Sequence, residues 1–422
     1  MLKDRFGDQV PFAEPSWYQG FHSPYYHDGH KAFRAKVRAF VEKRVKPNVD
    51  DWIADPKGYP MSLHREIFDA GISGVIYDKA LGGTKPDDFD AFYELIMLDE
   101  MARVAGGQVL GQLGINSMAL PPIINAASDY IKNLVVQDVV QGRKNICLAI
   151  SEPNAGSDVA NLKTTAVLDP SGEFYIVNGS KKWITGGMTA DYFTLACRTG
   201  GEGYMGLSLL LVDRQSPGVN VRKMQTQFDS CHSTTFIIFE DVKVPAKNLI
   251  GEENAGFMYI MTNFNHERFV IAASTARVAR VCYTEAFKYA MQRETFGKKL
   301  ISHQIIRFKL AEMVRQIEAL QDNVEKIAFQ FSKGVADHAL GGQCALLKVQ
   351  ASKCFEYCAR EAVQIFGGSG IVKEGKGKIV ERLYRDVRQT AIPGGSEEIL
   401  LDFAMRQVQR KAKKLAEKQS KL

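Results

Sequence analysis

Two short segments of the chain combine small residues, hydroxyl groups and an aromatic ring in a way that suits ligand binding. Residues 148–158, LAISEPNAGSD, favour a turn whose backbone N–H groups can approach a ligand closely, because the small side chains leave the backbone uncovered. Residues 181–187, KKWITGG, place a Trp beside a Thr and two Gly, which offers a flat aromatic wall, a hydroxyl group and free space. Turns of this composition are common, so neither segment alone identifies a ligand.

Short β-rich runs surround these two segments, and Gly, Asn, Ser, Asp and Pro punctuate them. The runs are residues 164–168, 174–177, 192–196, 207–212 and 234–239. Because no helical pattern separates these runs, the spacing is typical of a small β-barrel or a β-sandwich. We therefore predict a central β domain over residues 147–254.

Helical patterns precede this β-rich stretch, over a predicted N-terminal domain of residues 1–146. Apolar residues first recur there at helix spacing until Lys46-Pro47 ends the run: Phe33, Val37, Phe40, Val41 and Val45. Further helical stretches are predicted around residues 61–70, 89–105 and 126–141.

A long helical pattern also follows the β-rich stretch, over residues 255–422. Its apolar residues step alternately by four and three: Ile306, Leu310, Met313, Ile317, Leu320, Val324 and Ile327. Such a seam needs partner helices, so we predict an antiparallel four-helix bundle. The expected fold class is α+β, with an N-terminal helical domain, a central β-barrel or sandwich domain and a C-terminal four-helix bundle.

Composition narrows the classes of function. A chain of 422 residues is too long for one core, so two or three domains are expected. The net charge of +6 suits an anionic ligand, but no block of Lys and Arg interleaved with aromatics predicts nucleic-acid binding. Seven scattered cysteines fit reduced thiols better than disulfides or a metal site. No apolar run is long enough to span a bilayer, and the N-terminal residues resemble neither a secretory signal nor a mitochondrial presequence.

The two ligand-binding segments together resemble the signature of the acyl-CoA dehydrogenase family. The resemblance continues through FEDVKVP at 239–245, RETFG at 293–297 and QIFGGSG at 364–370, in the family's order, and covers about residues 24–410. It implies an FAD-dependent enzyme that removes two hydrogens across the α and β carbons of a fatty acyl-CoA and forms the trans-2-enoyl-CoA. It also implies a homo-oligomer, usually a tetramer, and electron-transfer flavoprotein as electron acceptor.

The resemblance assigns many residues to FAD. Those that would line the isoalloxazine are Leu148, Ala149, Ile150, Ser151, Ala155, Gly156, Ser157, Trp183, Ile184 and Thr185. Trp183 would cover one flavin face, and Thr185 would form a hydrogen bond near the flavin N5. Contacts to the pyrophosphate and adenosine would come from Arg293, Thr295, Phe296, His303 and Gln304, of which His303 and Gln304 have a plain helix-surface interpretation as an alternative. Contacts to the cofactor of a neighbouring subunit would come from Gln364, Ile365, Gly367 and Gly368, and Ser396 and Glu398 complete the predicted FAD set.

The dehydrogenation needs a base, because a proton beside a thioester is weakly acidic. Many family members carry this base in a C-terminal loop, but the matching residue here is Gly394 in IPGGSEEI. The helix that follows the β domain instead reads NFNHERFV, with Glu267 before an Arg. This arrangement resembles the isovaleryl-CoA and long-chain acyl-CoA dehydrogenase branches, so Glu267 is the predicted base. Gly394 would keep only its backbone N–H, as a donor to the thioester oxygen, with a flavin ribityl hydroxyl as the second donor.

Other acids and polar residues near these positions have alternative interpretations. Glu267 could form only a helical ion pair, whereas Glu397 and Glu398 are rival bases that more simply interact with a helix dipole. The resemblance further suggests substrate contacts from Ser157, Asn265, Arg268 and Arg406. His266 could tune the base or simply pack.

Three rival functions stay open at this stage. The C-terminal Ser420-Lys421-Leu422 is the tripeptide that peroxisomal import receptors recognise, which favours a peroxisomal enzyme and gives weight to an oxidase that passes electrons to O2. A nitroalkane-oxidase-like enzyme ranks low because Gly394 lacks the required acid. A non-catalytic flavin-binding protein is the third possibility. The glycines at 106, 107 and 111 could leave a deep substrate pocket or belong to a loop.

Overall fold

The computed structural model describes residues 5–105, 109, 113–228 and 234–419, without the side chain of Lys418. The glycines at 106, 107 and 111 and the C-terminal tripeptide, on which two of the expectations depend, lie outside the described residues. The chain forms two compact units that do not follow chain order. The helical unit comprises residues up to 41, 90–107 and 265–422, and the sheet unit comprises residues 42–89 and 108–264.

Helices account for most of the helical unit. Numbered along the whole chain, they are α1 (Asp28–Phe40), α4 (Ala91–Ala102), α8 (Gly256–Gln292), α9 (Gln304–Ser332), α10 (Gly341–Phe366), α11 (Lys378–Ala391) and α12 (Glu397–Gln419). Only the part of α8 from residue 265 onward belongs to this unit. A two-stranded hairpin of β9 (Glu294–Thr295) and β10 (Lys298–Lys299) lies between α8 and α9. All seven residues of the predicted apolar seam are buried on α9, so the seam is confirmed as core. This face packs in one cluster with Ala, Cys and Phe residues of α8 and α10.

Within its described residues, the sheet unit contains eight strands and five complete helices. The strands are β1 (Ile146–Ala149), β2 (Thr165–Leu168), β3 (Phe174–Thr185), β4 (Tyr192–Arg198), β5 (Leu207–Asp213), β6 (Val219–Lys223), β7 (Thr234–Pro245) and β8 (Leu249–Ile250). The helices are α2 (Val49–Ala54), α3 (Ser62–Asp69), α5 (Ile115–Ala119), α6 (Pro121–Ala126) and α7 (Asp129–Val140). The strand order is β6-β7-β3-β2-β4-β5-β8, with β1 paired to β4, so the described strands do not close into a barrel.

The five predicted strands are all present, but β3 and β7 are longer than predicted. Both extend to twelve residues and pair with each other in antiparallel fashion, with register shifts near Gly179 and Trp183. The short strands β1, β6 and β8 were not predicted. Among the described residues, no helix combines the length and the apolar character needed to cross a membrane.

Candidate active site

The sheet unit brings the two predicted ligand-binding segments together. Lys181 Nζ donates a hydrogen bond to the Ile150 carbonyl over 2.8 Å, and the Lys182 backbone N–H donates to the Ser151 carbonyl over 2.9 Å. Residues 152 and 155 close the turn through two backbone hydrogen bonds between Glu152 and Ala155. The turn after β1 is therefore fixed against the middle of β3.

A buried ion pair reinforces this turn. The Glu152 carboxylate accepts hydrogen bonds from Lys181 Nζ at 2.8 Å and from the backbone N–H groups of Lys163 at 2.6 Å and Thr164 at 2.9 Å. Burial opposes ionisation of Glu152, but the Lys181 ammonium and these N–H donors outweigh it and lower the pKa of the carboxyl. Burial lowers the pKa of Lys181, and the Glu152 carboxylate partly offsets this lowering. Glu152 is therefore a permanently charged structural group.

Trp183 and Gly156 leave an accessible surface beside this turn. The Trp183 side chain is 48% exposed, and its backbone has a φ of 63°, in the left-handed region that an aromatic residue seldom adopts. A Cβ atom added to Gly156 would meet no described atom within 4 Å. An exposed indole on a strained backbone, next to a backbone that a ligand can approach, fits the flat ring system of FAD.

Several predicted FAD contacts have side chains that serve the core of the sheet unit instead. The buried side chains are those of Ala149, Ile150, Ala155 and Ile184, whereas Leu148, Ser151, Ser157 and Thr185 are at least partly exposed. The buried residues can therefore present only backbone atoms to a ligand. Sequence patterns cannot separate these two roles, because both favour small or apolar residues.

In the helical unit, Glu267 is a carboxylic acid with a buried oxygen atom. It lies on α8, and its Oε2 atom is buried without a hydrogen-bond partner among the described residues. Burial raises the pKa of Glu267 to about 7, although the nearby cations Arg268 and Lys348 act in the opposite direction. A carboxyl group with such a pKa can both hold and release a proton near neutral pH.

The loop that contains Gly394 lies beside this helix. Arg268 Nε donates to the Gly394 carbonyl over 3.1 Å, and Arg268 Nη1 donates to Asn265 Oδ1 over 2.9 Å. Gly394 has a φ of 69°, and a Cβ there would lie 2.8 Å from Ile271 Cδ1, so glycine is the residue that this backbone accepts. The helical unit thus brings Gly394 of this loop next to Arg268, which lies with Asn265 on the helix that carries Glu267.

Lys348 on α10 is a second buried cation of this region, and the sequence did not single it out. Its Nζ donates to the carbonyls of Ala391 over 2.6 Å and Gly395 over 2.9 Å, at the two ends of the loop. Burial lowers the pKa of Lys348 to about 8. The one available signal was a lysine on an otherwise apolar helix face.

His266 faces a different neighbour. Its Nε2 lies 3.0 Å from an oxygen of Glu94 on α4. Burial disfavours the charged imidazole, but the Glu94 carboxylate outweighs this effect and raises the pKa of His266 to about 9. His266 is therefore a charged partner of Glu94 at neutral pH.

The hairpin after α8 brings together part of the predicted adenosine contacts. The Thr295 hydroxyl and the His303 Nε2 are 3.3 Å apart, and Phe296 is 96% exposed with its ring edge-on to that of His303. Arg293 and Gln304 are exposed beside them. An exposed aromatic ring with a cation nearby suits a nucleotide.

The remaining predicted contacts are spread along α10 and α12. Gln364, Gly367 and Gly368 are exposed at the end of α10, but the Ile365 side chain belongs to the helical core. At the start of α12, Ser396 is partly exposed and Glu398 is exposed, whereas Glu397 accepts a hydrogen bond from Ser352. Arg406 is exposed and pairs with Asp402 on its own helix.

One cluster resembles a metal site, namely His27, His30 and Asp90. Both ring nitrogens of His30 are already used, since Nε2 lies 2.9 Å from Asp90 and Nδ1 accepts the His27 backbone N–H. Asp90 in turn caps α4 by accepting the Phe92 N–H. Helix capping therefore explains this cluster.

Comparisons with known proteins agree over most of the chain. Family models match residues 27–143 (acyl-CoA dehydrogenase, N-terminal domain), 147–242 (middle domain) and 254–409 (C-terminal domain). The chain is 39% identical to the acyl-CoA dehydrogenase apdG of Emericella nidulans, over 94% of this chain and 95% of that protein.

Solved structures show the same likeness. A putative acyl-CoA dehydrogenase from Mycobacterium smegmatis superposes with a TM-score of 0.86 at 34% identity, over 92% of this chain and 99% of that chain. An acyl-CoA dehydrogenase complexed with FAD from Bacillus anthracis gives a TM-score of 0.86 at 27% identity, over 93% of this chain and 69% of that chain.

Proposed function

The chain belongs to the acyl-CoA dehydrogenase family, and from this premise we propose that it dehydrogenates a fatty acyl-CoA with Glu267 as the base. It is an FAD-dependent oxidoreductase of the acyl-CoA dehydrogenase type. The carboxylate of Glu267 takes the α-proton, and the β-carbon loses a hydride as the carbon–carbon double bond forms. The product is the trans-2-enoyl-CoA.

FAD fits the residues that the sheet unit presents. Trp183 offers an exposed ring, Gly156 leaves open space, and the turn that contains Ser151 is fixed by the buried Glu152–Lys181 pair. We assign the isoalloxazine to these groups. In the helical unit, considered by itself, we propose Thr295 and Phe296 as contacts for the adenosine end of an FAD molecule. The chemistry that FAD supplies when bound is acceptance of the hydride at its N5 atom.

The observation that carries the proposal is the buried, unpartnered Oε2 atom of Glu267. A carboxylate with several donors is stabilised as an anion and is a poor base, whereas Glu267 has lost hydration without gaining such donors. Gly394 completes the proposed site: its backbone N–H donates to the thioester oxygen and stabilises the charge that develops there.

Glu267→Gln is the direct test. The variant keeps the size and polarity of the side chain but cannot accept a proton, so we expect it to bind FAD and acyl-CoA while flavin reduction slows by about 10²–10⁴-fold. Flavin bleaching is followed in anaerobic single-turnover mixing with straight-chain acyl-CoAs from butyryl-CoA to hexadecanoyl-CoA and with branched ones.

Glu397→Gln is the matched control, since Glu397 is the rival acid near Gly394 in the chain. We expect it to bleach at the wild-type rate. Bleaching by Glu267→Gln at the wild-type rate would overturn the assignment, as would a loss that appears only in Glu397→Gln. In the wild type, kcat/KM should rise with pH through about 7, the pKa of Glu267, because only the ionised carboxyl accepts a proton.

The electron acceptor is a separate part of the proposal. We propose that electron-transfer flavoprotein accepts the electrons, as is usual in the family, and that the chain assembles as a homotetramer. Peroxide formed per acyl-CoA consumed, measured with and without an artificial dye acceptor, separates a dehydrogenase from an oxidase. Stoichiometric peroxide would favour the oxidase instead. Light scattering of the FAD-loaded protein gives the oligomeric state.

A further inference from the structure

Lys348 is an unusual feature of the helical unit. Its side chain has no exposed surface, and its Nζ donates to two backbone carbonyls rather than to a carboxylate. Among the described residues the only other lysine buried to this degree is Lys181, which has a carboxylate partner. Burying an ammonium group is costly, so a lysine without an ion-pair partner points to a requirement beyond packing.

The two carbonyls that Lys348 holds lie at the two ends of one short loop. Ala391 is the last residue of α11, and Gly395 precedes α12, so a single ammonium group ties residues 391 and 395 together. Gly394 and Gly395 both have left-handed φ values, of 69° and 104°, which let the chain reverse within this span. The peptide units between the two ends therefore have little freedom.

Arg268 holds the same loop from α8. Its Nε donates to the Gly394 carbonyl, one residue from the carbonyl that Lys348 holds. Because a trans peptide is planar, fixing the Gly394 and Gly395 carbonyls also fixes the N–H groups of Gly395 and Ser396, which belong to the same peptide units. The Gly394 N–H belongs to the peptide unit of Pro393 and Gly394, which lies between the restrained Ala391 carbonyl and the restrained Gly394 and Gly395 carbonyls. Two cations from two helices thus limit the orientations that this N–H can take.

We propose that Lys348 is a positioning residue of the dehydrogenation, which holds residues 391–395 so that the Gly394 N–H meets the thioester oxygen of the substrate. This inference rests on the proposed function, in which Gly394 is that donor. An oxyanion donor must be placed in advance, because any movement of the loop during the reaction would remove part of its effect.

The charges around Lys348 agree with this role. The groups that face it are Glu267 and Arg268 on α8 and Glu397 and Glu398 on α12. Lys348 does not pair with Glu267, although it acts on it through space and lowers the pKa of that carboxyl. The loop is therefore held by a cation that leaves the proposed base free of a direct hydrogen bond.

The test uses the thioester C=O stretching frequency of a bound substrate, which reports hydrogen bonding to its oxygen. The Glu267→Gln variant, loaded with FAD, should turn substrate over about 10²–10⁴-fold more slowly than the wild type, so its substrate complex can be observed before it reacts. The probe is the ¹³C-carbonyl form of whichever acyl-CoA, from butyryl-CoA to hexadecanoyl-CoA, bleaches the wild-type flavin fastest. Infrared difference spectra are compared for Glu267→Gln with and without Lys348→Met.

We expect the band to shift to higher frequency when Lys348→Met is added, because the thioester oxygen loses a well-placed donor. In the chain that retains Glu267, Lys348→Met should lower the kcat of flavin reduction by about 10²-fold with little change in KM, as for loss of one oxyanion donor. Lys353→Met, an exposed lysine of the same helix, is the matched control and should move neither quantity.

If the C=O band is the same in Glu267→Gln with and without Lys348→Met, the inference about Lys348 is wrong, and the assignment of Glu267 stays intact. Flavin bleaching by Glu267→Gln at the wild-type rate would instead overturn the proposed function. If Lys348→Met does not hold FAD, Lys348→Gln replaces it, since its shorter amide keeps a donor but cannot span both carbonyls. A smaller shift in the same direction supports the role of Lys348, and an unshifted band in this folded variant contradicts it.

Discussion

Glu152 in the sheet unit and Glu267 in the helical unit are both buried carboxyl groups, yet their pKa values move in opposite directions. Glu152 accepts hydrogen bonds from two backbone N–H groups and from Lys181. The buried oxygen of Glu267 accepts none among the described residues. Burial raises the pKa in both cases, but only Glu152 has the donors and the adjacent cation that reverse the effect.

The difference shows that donors, rather than burial, decide whether a buried acid is structural or reactive. A carboxylate held by N–H groups and an ammonium is stable as an anion and keeps one geometry. A carboxyl that is desolvated without such partners keeps a pKa near neutral pH and can exchange a proton. The two lysines follow the same division, because Lys181 neutralises its acid whereas Lys348 is bonded to carbonyls and leaves Glu267 unpaired.

The largest effect on stability should come from replacing the structural acid Glu152 by Gln. Glu152→Gln removes the charge that compensates buried Lys181, so we expect the free energy of unfolding to fall by about 3–5 kcal/mol, the usual cost of breaking a buried pair. Urea unfolding of the FAD-loaded protein measures it. Glu173→Gln, an exposed acid of the same unit, is the control.

A double variant tests whether the loss of stability comes from the uncompensated charge of Lys181 rather than from changed packing. The double variant Glu152→Gln with Lys181→Met removes both charges and should recover part of the lost stability. A single variant that loses less than about 1 kcal/mol, the range of exposed pairs, would show that Glu152 and Lys181 are not coupled as the structure indicates.

Glu267→Gln should change stability in the opposite sense. The folded protein holds a proton on Glu267 up to about pH 7, whereas the unfolded chain releases it near 4.5, so the wild type loses stability as pH rises from 4.5 to 7. After a discount for the partial exposure of the residue, we expect a loss of about 2 kcal/mol. The variant lacks this loss and gains relative to the wild type.

Unfolding of both proteins without acyl-CoA, at pH 5 and at pH 8, checks this sign. The gain of the variant over the wild type should be larger at pH 8. Equal differences at the two pH values would mean that Glu267 is ionised throughout, as Glu152 is, and the contrast between the two acids would fail.

The smallest expected effect concerns His266, the neighbour of Glu267. Its folded pKa of about 9 lies above the ordinary 6.5, so the pairing with Glu94 stabilises the fold fully below pH 6.5 and is lost as pH rises through 9. Because the His266 side chain is 36% exposed, we expect only about 1 kcal/mol.

His266→Gln tests whether this pair is independent of the base. The free energy of unfolding of the variant should be lower than that of the wild type below pH 9 and should approach it above pH 9. Flavin reduction by the variant should keep the pH dependence that we assign to Glu267. A shift of that kinetic pH dependence in His266→Gln would show that the two side chains titrate together, and it would replace a single base with a coupled pair.

The sequence by itself determined the helix and strand classes wherever the apolar pattern was long. The seam of α9 could be predicted because periodic burial leaves a periodic pattern, and the five principal strands could be predicted because β-rich runs stand between turn residues. The family and its cofactor FAD followed from motifs in register, and the same motifs predict Glu267 and Gly394 as site residues. These are local features, and a linear sequence displays them directly.

Only the tertiary structure decided which residues hold these motifs in place. Lys181 meets Ile150 and Glu152 across two strands, and Lys348 meets a loop more than forty residues away on the chain. It also decided which predicted FAD contacts are core side chains, as with Ile365. Such partners come together because helices and strands pack, and the energy of a buried charge depends on every neighbour in space, which the order of residues along the chain does not reveal.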